Sequence, residues 1–220
     1  MAKPLVLFGA GEIAELAHFY FTTDSAREPV CFVVDDAYLK DESFCGLPVL
    51  PYSQLLERYP PSDYDAFVAL SYSGMNRLRA DKYRLLKADG YQLASYLSSH
   101  CTYLSQYPAG DNCFILEDNT IQPFVKIGSN VTLWSGNHIG HGSTVEDHVF
   151  ISSHVVISGN CVISERCFLG VNSTLRNGIT LAPETLLGAG AAIMADSEEK
   201  GVYLPARCVK LSRSSDEVEL

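Results

Sequence analysis

From Ile115 onward the chain carries an aliphatic residue at every sixth position: Ile115, Ile121, Ile127, Leu133, Ile139, Val145, Ile151, Ile157, Ile163, Leu169, Leu175, Leu181, Leu187 and Ile193. All 14 consecutive positions are Ile, Leu or Val. If such residues make up roughly a quarter of an average chain, the run arises by chance on the order of once in 10⁸. A period of six fits neither a helical turn nor the alternation of a simple strand. It fits a strand of about four residues and a two-residue corner, repeated on each face of a triangular prism.

The positions two before the aliphatics are often small or β-branched, and they include Cys113, Ser143, Cys161, Cys167, Ser173, Thr185 and Ala191. Three of the cysteines are thereby read as corner-packing residues. Gly128, Gly140, Gly170 and Gly188 directly follow a repeated aliphatic, where a missing Cβ is expected to help the chain turn. The pattern predicts a left-handed parallel β-helix of hexapeptide repeats, a known exception to right-handed crossovers, with about 18 residues per coil. Residues 18 apart then stack on adjacent coils, which puts Gly159 beside His141 with no carboxylate on that strip.

The first hundred residues follow a different pattern. The apolar run Pro4–Phe8 leads into Gly9-Ala10-Gly11-Glu12-Ile13-Ala14, and a helical face follows with Ile13, Leu16, Ala17 and Tyr20. A second run, Val30–Val34, ends in Asp35-Asp36, and a third, Ala66–Leu70, precedes the helix-like stretch Asn76–Ala88. Alternating strands and helices predict a small parallel sheet. Gly-x-Gly-x-x-Ala between strand and helix is where backbone N–H groups meet a phosphate, and the acids after the next strand suit a ribose or base. The span is short for a full dinucleotide fold, so one mononucleotide-binding half is expected. The composition shift around residues 90–104 places a boundary near residue 103: an α/β Rossmann-like domain over 1–103, the β-helix over 104–212, and a polar tail over 213–220.

Composition excludes several roles. A net charge of −10 argues against a nucleic-acid surface. No apolar run is long enough to span a bilayer, and the N-terminus lacks a secretory pattern, so a cytoplasmic protein is expected. Seven cysteines without any CxxC pair suggest buried reduced thiols rather than disulfides or a zinc ribbon.

Four of the six histidines, His138, His141, His148 and His154, crowd into residues 134–154. A small nucleotide-binding domain ahead of a hexapeptide β-helix, with LVLFGAGEIAE, FVVDD and EKGVYLPARC, resembles the bacterial sialic-acid O-acetyltransferases and UDP-4-amino-sugar N-acetyltransferases. The resemblance implies a nucleotide-linked sugar on the N-terminal domain, acetyl-CoA along the β-helix, a histidine base, and homotrimers with active sites between subunits. The family's histidine sits two residues after one repeated aliphatic and four before the next, a register that only His141 of the four fits. The resemblance also implies nucleotide-sugar contacts at Gly11, Glu12, Ile13, Asp35, Asp36 and Ser71, and acetyl-CoA contacts near Val171 and Ala189. Two positions depart from the family. Gly142 replaces an acidic neighbour of the histidine, and Phe150 replaces a second histidine that contacts acetyl-CoA.

An imidazole can accept a proton from an attacking amine at neutral pH, which suits His141 to the role of base. His138 is read as lining the substrate pocket or as a structural residue. As a zinc pair, His138 and His141 lack a third ligand at a set spacing, so no metal is expected. Glu146 or Asp147 could orient a histidine, or could simply be solvated. Trp134 should point outward, toward either a trimer interface or a substrate. The resulting expectation is an acetyl-CoA-dependent sugar N-acetyltransferase of surface-glycan biosynthesis. Its rivals are a sugar O-acetyltransferase, a zinc hydratase and a non-catalytic trimeric binding protein.

Overall fold

The computed structural model describes residues 2–208, 210 and 212; the expected tail, 213–220, lies outside them. The N-terminal part builds β1 (Leu5–Phe8), α1 (Glu12–Thr23), β2 (Pro29–Val34), β3 (Ser43–Phe44), β4 (Leu47–Pro51), α2 (Leu55–Arg58), β5 (Asp65–Val68) and α3 (Arg77–Ala88). The sheet order is β3-β4-β2-β1-β5, parallel apart from the β3–β4 pair. Strand alternation separates two apolar layers. Leu5, Leu7, Phe32 and Phe67 face Ala14, Ala17 and Phe21 of α1. Val6, Phe8, Val33 and Val68 share the other side with Leu55 of α2 and Leu86 of α3. This is one half of a doubly wound fold, as the alternation of strands and helices implied.

The rest is a prism of two-residue strands. Face 1 stacks Tyr96–Leu97, Phe114–Ile115, Thr132–Leu133, Phe150–Ile151, Phe168–Leu169, Leu186–Leu187 and Val202–Tyr203. Face 2 has six strands, from Thr102–Tyr103 to Ala192–Ile193, and face 3 has four, from Lys126–Ile127 to Thr180–Leu181. Pairing is parallel with an offset of 18, such as His138 to Val156 and Ile139 to Ile157, apart from the last pair of face 1, where Leu186 meets Val202. All 14 repeated aliphatics are buried on the prism axis. Pairing within the faces reaches back to Tyr96, ahead of residue 103.

The corners turn at a different residue from the one the glycines suggested. Left-handed φ occurs three residues before each aliphatic, at Asn112, Asp118, Phe124, Asn130, Gly136, Gly142, His148, His154, Asn160, Arg166, Asn172, Gly178, Glu184 and Gly190. Asn, Asp, His and Gly tolerate this region best. Gly128, Gly140, Gly170 and Gly188 are not left-handed; they serve close stacking instead. A Cβ on Gly140 would meet the backbone of Ser158 and Gly159 at 2.5 Å, and one on Gly170 would meet Ala189 N at 2.7 Å. The corner cysteines behave as read: Cys113, Cys161 and Cys167 are buried, and each thiol lies 3.1–3.2 Å from a carbonyl oxygen 15 residues ahead.

The residue before each aliphatic points outward and decides what each face does. Faces 2 and 3 show Thr120, His138, Thr144, Val162, Thr174 and Thr180, whereas face 1 shows Tyr96, Phe114, Phe150 and Phe168. The N-terminal domain packs on this aromatic face. Phe114 and Leu116 join the α1 cluster, and Trp134 packs against it. Trp134 therefore lies at the domain interface, neither of the two positions expected from sequence.

Arg79 of α3 locks the far side of this interface. It is 1% exposed. Its guanidinium donates to the carbonyl oxygens of Asn130 and His148 and to the side-chain oxygens of Asn76 and Asn130. Burial without a carboxylate partner pulls its pKa down to about 9. No helix among the described residues is long and apolar enough to cross a membrane.

Candidate active site

The repeat gives the four clustered histidines four different environments. His148 occupies a left-handed corner between faces 3 and 1 and is 5% exposed. Its Nδ1 lies 2.8 Å from Asn130 Nδ2. Asn130 Oδ1 accepts from Asn112 and Arg79, so the Asn130 amide nitrogen faces the ring and Nδ1 must accept. Burial, then the positive charges of Arg84 and Arg79, pushes this imidazole down to about 4. It is a neutral structural group. His154 takes the left-handed corner between faces 1 and 2, with its ring against Gly136. His138 is half-buried on the strand His138–Ile139, between Thr120 and Val156 of the neighbouring coils.

His141 differs from the other three. It sits on the open corner between faces 2 and 3, is exposed, and is not left-handed; the following Gly142 takes that role at φ +67°. The next coil passes beneath the ring at Gly159, where a Cβ would stand 2.6 Å from His141 Cε1 and 2.8 Å from Nε2. Asn177 Oδ1 would lie 3.0 Å from the same point. The missing side chain leaves a notch between the two. The preceding coil contributes Gln122, whose Oε1 accepts the His141 backbone N–H at 2.8 Å and lies 3.3 Å from Nδ1. Sequence reasoning missed Gln122 because it lies 19 residues away rather than 18.

Glu146 and Asp147 do not orient His141. They sit past face 3, where Glu146 accepts the Glu165 N–H at 3.0 Å and Asp147 the Ser129 N–H at 2.7 Å. Phe150, expected beside acetyl-CoA, is corrected as well. Its ring is 2% exposed, stacked on Phe168 at 5.6 Å and capped by Tyr72 at 5.1 Å. It is one rung of the aromatic face that the N-terminal domain covers. Val171, 42% exposed, and Ala189 stack on successive coils at the corner between faces 1 and 2, a different edge from that of His141.

The second candidate region is a cleft of about 440 Å³ at the carboxyl ends of β1, β2 and β5, lined by residues that include Phe8, Gly9, Ala10, Asp35, Tyr38, Lys40 and Lys82. Doubly wound sheets bind ligands at this position. Gly9 is required where it stands: its φ is +129°, and a Cβ would meet Ala69 O at 2.5 Å. Gly11 caps α1 with open space above it, and Glu12 and Ile13 form the first turn beside Ala10. First-turn N–H groups have no partner within the helix and favour anions. Asp35 lines the cleft and pairs with Lys82. Asp36 turns away; its carboxyl is held below the usual range by hydrogen bonds to Ser53. Ser71 is half-buried in the loop after β5, next to the lining residue Leu70. Lys40 and Lys82, the two cations of the cleft, carried no motif; one lies on a loop and the other on α3.

Among the described residues no group of three or more His, Cys, Asp or Glu is arranged to hold a metal ion. Burial pushes the Cys31, Cys113 and Cys167 thiols up to about 12, which keeps them un-ionised at neutral pH.

Residues 125–159 match the family described as bacterial transferase hexapeptide (six repeats). Three similar solved structures extend the likeness over nearly the whole chain. The acetyltransferase domain of PglB from Neisseria gonorrhoeae, solved with acetyl coenzyme A, has TM-score 0.82 at 22% identity, covering 93% of this chain and 97% of that one. A mutant of perosamine N-acetyltransferase from Caulobacter crescentus, in complex with CoA and GDP-perosamine, has TM-score 0.81 at 20% identity, covering 92% and 93%. WeeI from Acinetobacter baumannii has TM-score 0.76 at 18% identity, covering 90% and 95%. These matches establish the fold: an α/β Rossmann-like layer followed by a left-handed hexapeptide β-helix.

Proposed function

We propose that this protein is an acetyltransferase that moves acetyl from acetyl-CoA to a nucleotide-linked sugar in bacterial surface-glycan biosynthesis. The acceptor is the amino group of a 4-amino-dideoxyhexose. One observation carries the reading: a single chain joins a nucleotide-type cleft to a prism on which His141 alone of the four clustered histidines is exposed, non-left-handed and set over a notch. Solved proteins of the same fold bind acetyl coenzyme A, or CoA together with GDP-perosamine.

In this account the sugar amine attacks the thioester carbonyl carbon while His141 Nε2 takes its proton. The tetrahedral intermediate collapses, the C–S bond breaks, and the departing thiolate receives the proton from the imidazolium. No acyl-enzyme forms in this account, in keeping with the buried, un-ionised thiols of Cys31, Cys113 and Cys167. Asp35, Lys40, Lys82 and the first turn of α1, from Gly11 to Ile13, hold the nucleotide. Main-chain groups at Val171 and Ala189 hold acetyl-CoA. These two residues and His141 occupy different edges of one prism, so the account places the thioester between neighbouring copies of a homotrimer. Face 2, with His138, Thr174 and the 41% exposed Val156, is the face offered to the next copy.

The test is release of free CoA thiol from acetyl-CoA with a panel of UDP-, GDP- and dTDP-linked 4-amino sugars, with mass analysis of the product. An N-acetylated product from at least one donor–acceptor pair is expected. Turnover with hydroxyl acceptors alone would replace the amine by an alcohol, and no turnover with either would remove the enzymatic reading.

A further inference from the structure

We propose that Gln122 is the positioning residue for His141, holding its neutral imidazole as the Nδ1–H tautomer with Nε2 free over the Gly159 notch. The proposal rests on reading His141 as the base. Two contacts on one atom carry it. Gln122 Oε1 lies 2.8 Å from the His141 backbone nitrogen and 3.3 Å from the ring Nδ1. A backbone N–H can only donate, so the carboxamide must present its oxygen here, and the flip ambiguity of glutamine is removed. An oxygen facing Nδ1 requires that Nδ1 carry the proton. In the neutral ring the lone pair is then on Nε2, the nitrogen that faces the clearance left by Gly159.

Gln122 therefore supplies orientation without charge. A carboxylate in this place would fix the same tautomer and strongly stabilise the imidazolium; a neutral carboxamide fixes the tautomer and stabilises the imidazolium far less. Gly142 cannot contribute, and the space a side chain there would enter is occupied by Asn160 Oδ1, 2.5 Å from the position of a Cβ. The groups packed against the ring or its notch from the neighbouring coils are Gln122, Gly159 and Asn177, none of which titrates. Along the sequence the flanking titratable residues are His138 on face 2 and Glu146 past face 3, and Arg176 is the charged residue of the same corner two coils on.

The experiment is nitrogen NMR on full-length protein labelled with ¹⁵N-histidine, His141 being assigned by its loss in His141→Ala. Wild type is expected to show a protonated Nδ1 and a bare Nε2 above the pH at which the ring deprotonates. Gln122→Ala should revert toward the Nε2–H form that free side chains favour. Gln122→Glu should keep Nδ1–H and move the ring's titration to higher pH. An Nε2–H tautomer in wild type, or an unchanged tautomer in Gln122→Ala, overturns the proposal. With an active acceptor, Gln122→Ala should lower kcat about tenfold at unchanged KM, and Gln122→Glu should restore kcat while shifting the acid limb of the rate profile upward. Unchanged kcat in Gln122→Ala also overturns it. Failure of every acceptor sinks the transferase reading, while the NMR result still decides the role of Gln122.

Discussion

Two corners of the prism carry a histidine and put it to opposite uses, His148 as the left-handed turn residue itself and His141 one position before the turn residue of its corner. At the corner between faces 3 and 1, His148 is sealed beneath α3, and its Nδ1 accepts from an amide that Arg79 holds in place. At the corner between faces 2 and 3, His141 is exposed, and its Nδ1 faces an oxygen. The repeat supplies both scaffolds. What differs is the neighbour, which is a whole domain packed on one corner and a single glutamine of the preceding coil at the other. A β-helix is chemically uniform along its length, so a site appears where the uniformity is left uncovered.

The sharpest way to break the closed corner is Arg79→Met. It orphans the carbonyls of Asn130 and His148 and the Asn76 side-chain oxygen, and should cost roughly 3 kcal/mol in urea unfolding. Unchanged stability would mean that the domain is held by the aromatic face alone.

The next effect is pH-dependent. The folded His148 pKa, about 4, lies below its ordinary 6.5, so as pH falls the unfolded chain takes up the proton first. Stability from this residue is full above pH 6.5 and declines on the way to 4, with a slope approaching 1.4 kcal/mol per pH unit. His148→Asn accepts the left-handed φ of +64° and should flatten that slope. Urea midpoints of the two proteins across this pH range provide the check.

At the open corner, Gly159→Ala puts a methyl group 2.6 Å from His141 Cε1. The ring must move, and kcat should fall about tenfold while the unfolding midpoint hardly changes, because the side chain displaced is exposed. His154→Asn should be the mildest: a left-handed corner residue exchanged for another that tolerates it, within about 0.5 kcal/mol in stability and without effect on turnover. A large loss of activity there would show that more than one histidine serves the chemistry.

Much of this was legible in the sequence, and the exceptions have physical reasons. The aliphatic hexad fixes the prism axis because only a closed triangular coil buries every sixth residue. The identity of the docking face was also present, as Tyr96, Phe114, Phe150 and Phe168 are separated by multiples of 18, while the corresponding positions of the other two faces carry no aromatic other than His138 and are Thr at half of them. Phe150 was read instead as a replaced family histidine, and so was assigned to the cofactor. The corner residues carried a second hexad, rich in Asn (Asn112, Asn130, Asn160 and Asn172) and Gly (Gly136, Gly142, Gly178 and Gly190). That hexad would have marked His148 and His154 as turn residues from the start. By contrast, no pattern reveals Arg79, Lys82 or Gln122. Each acts through a contact that the topology creates, across the domain interface, across the sheet or one residue off the stacking register.

If the open histidine is the base, the turnover of His141→Ala beside wild type, with the acceptor identified from the panel, decides its role. The variant's kcat is expected to fall roughly 10²-fold or more with an unfolding midpoint equal to that of wild type. Turnover within about twofold of wild type, in a variant equally stable, would contradict it.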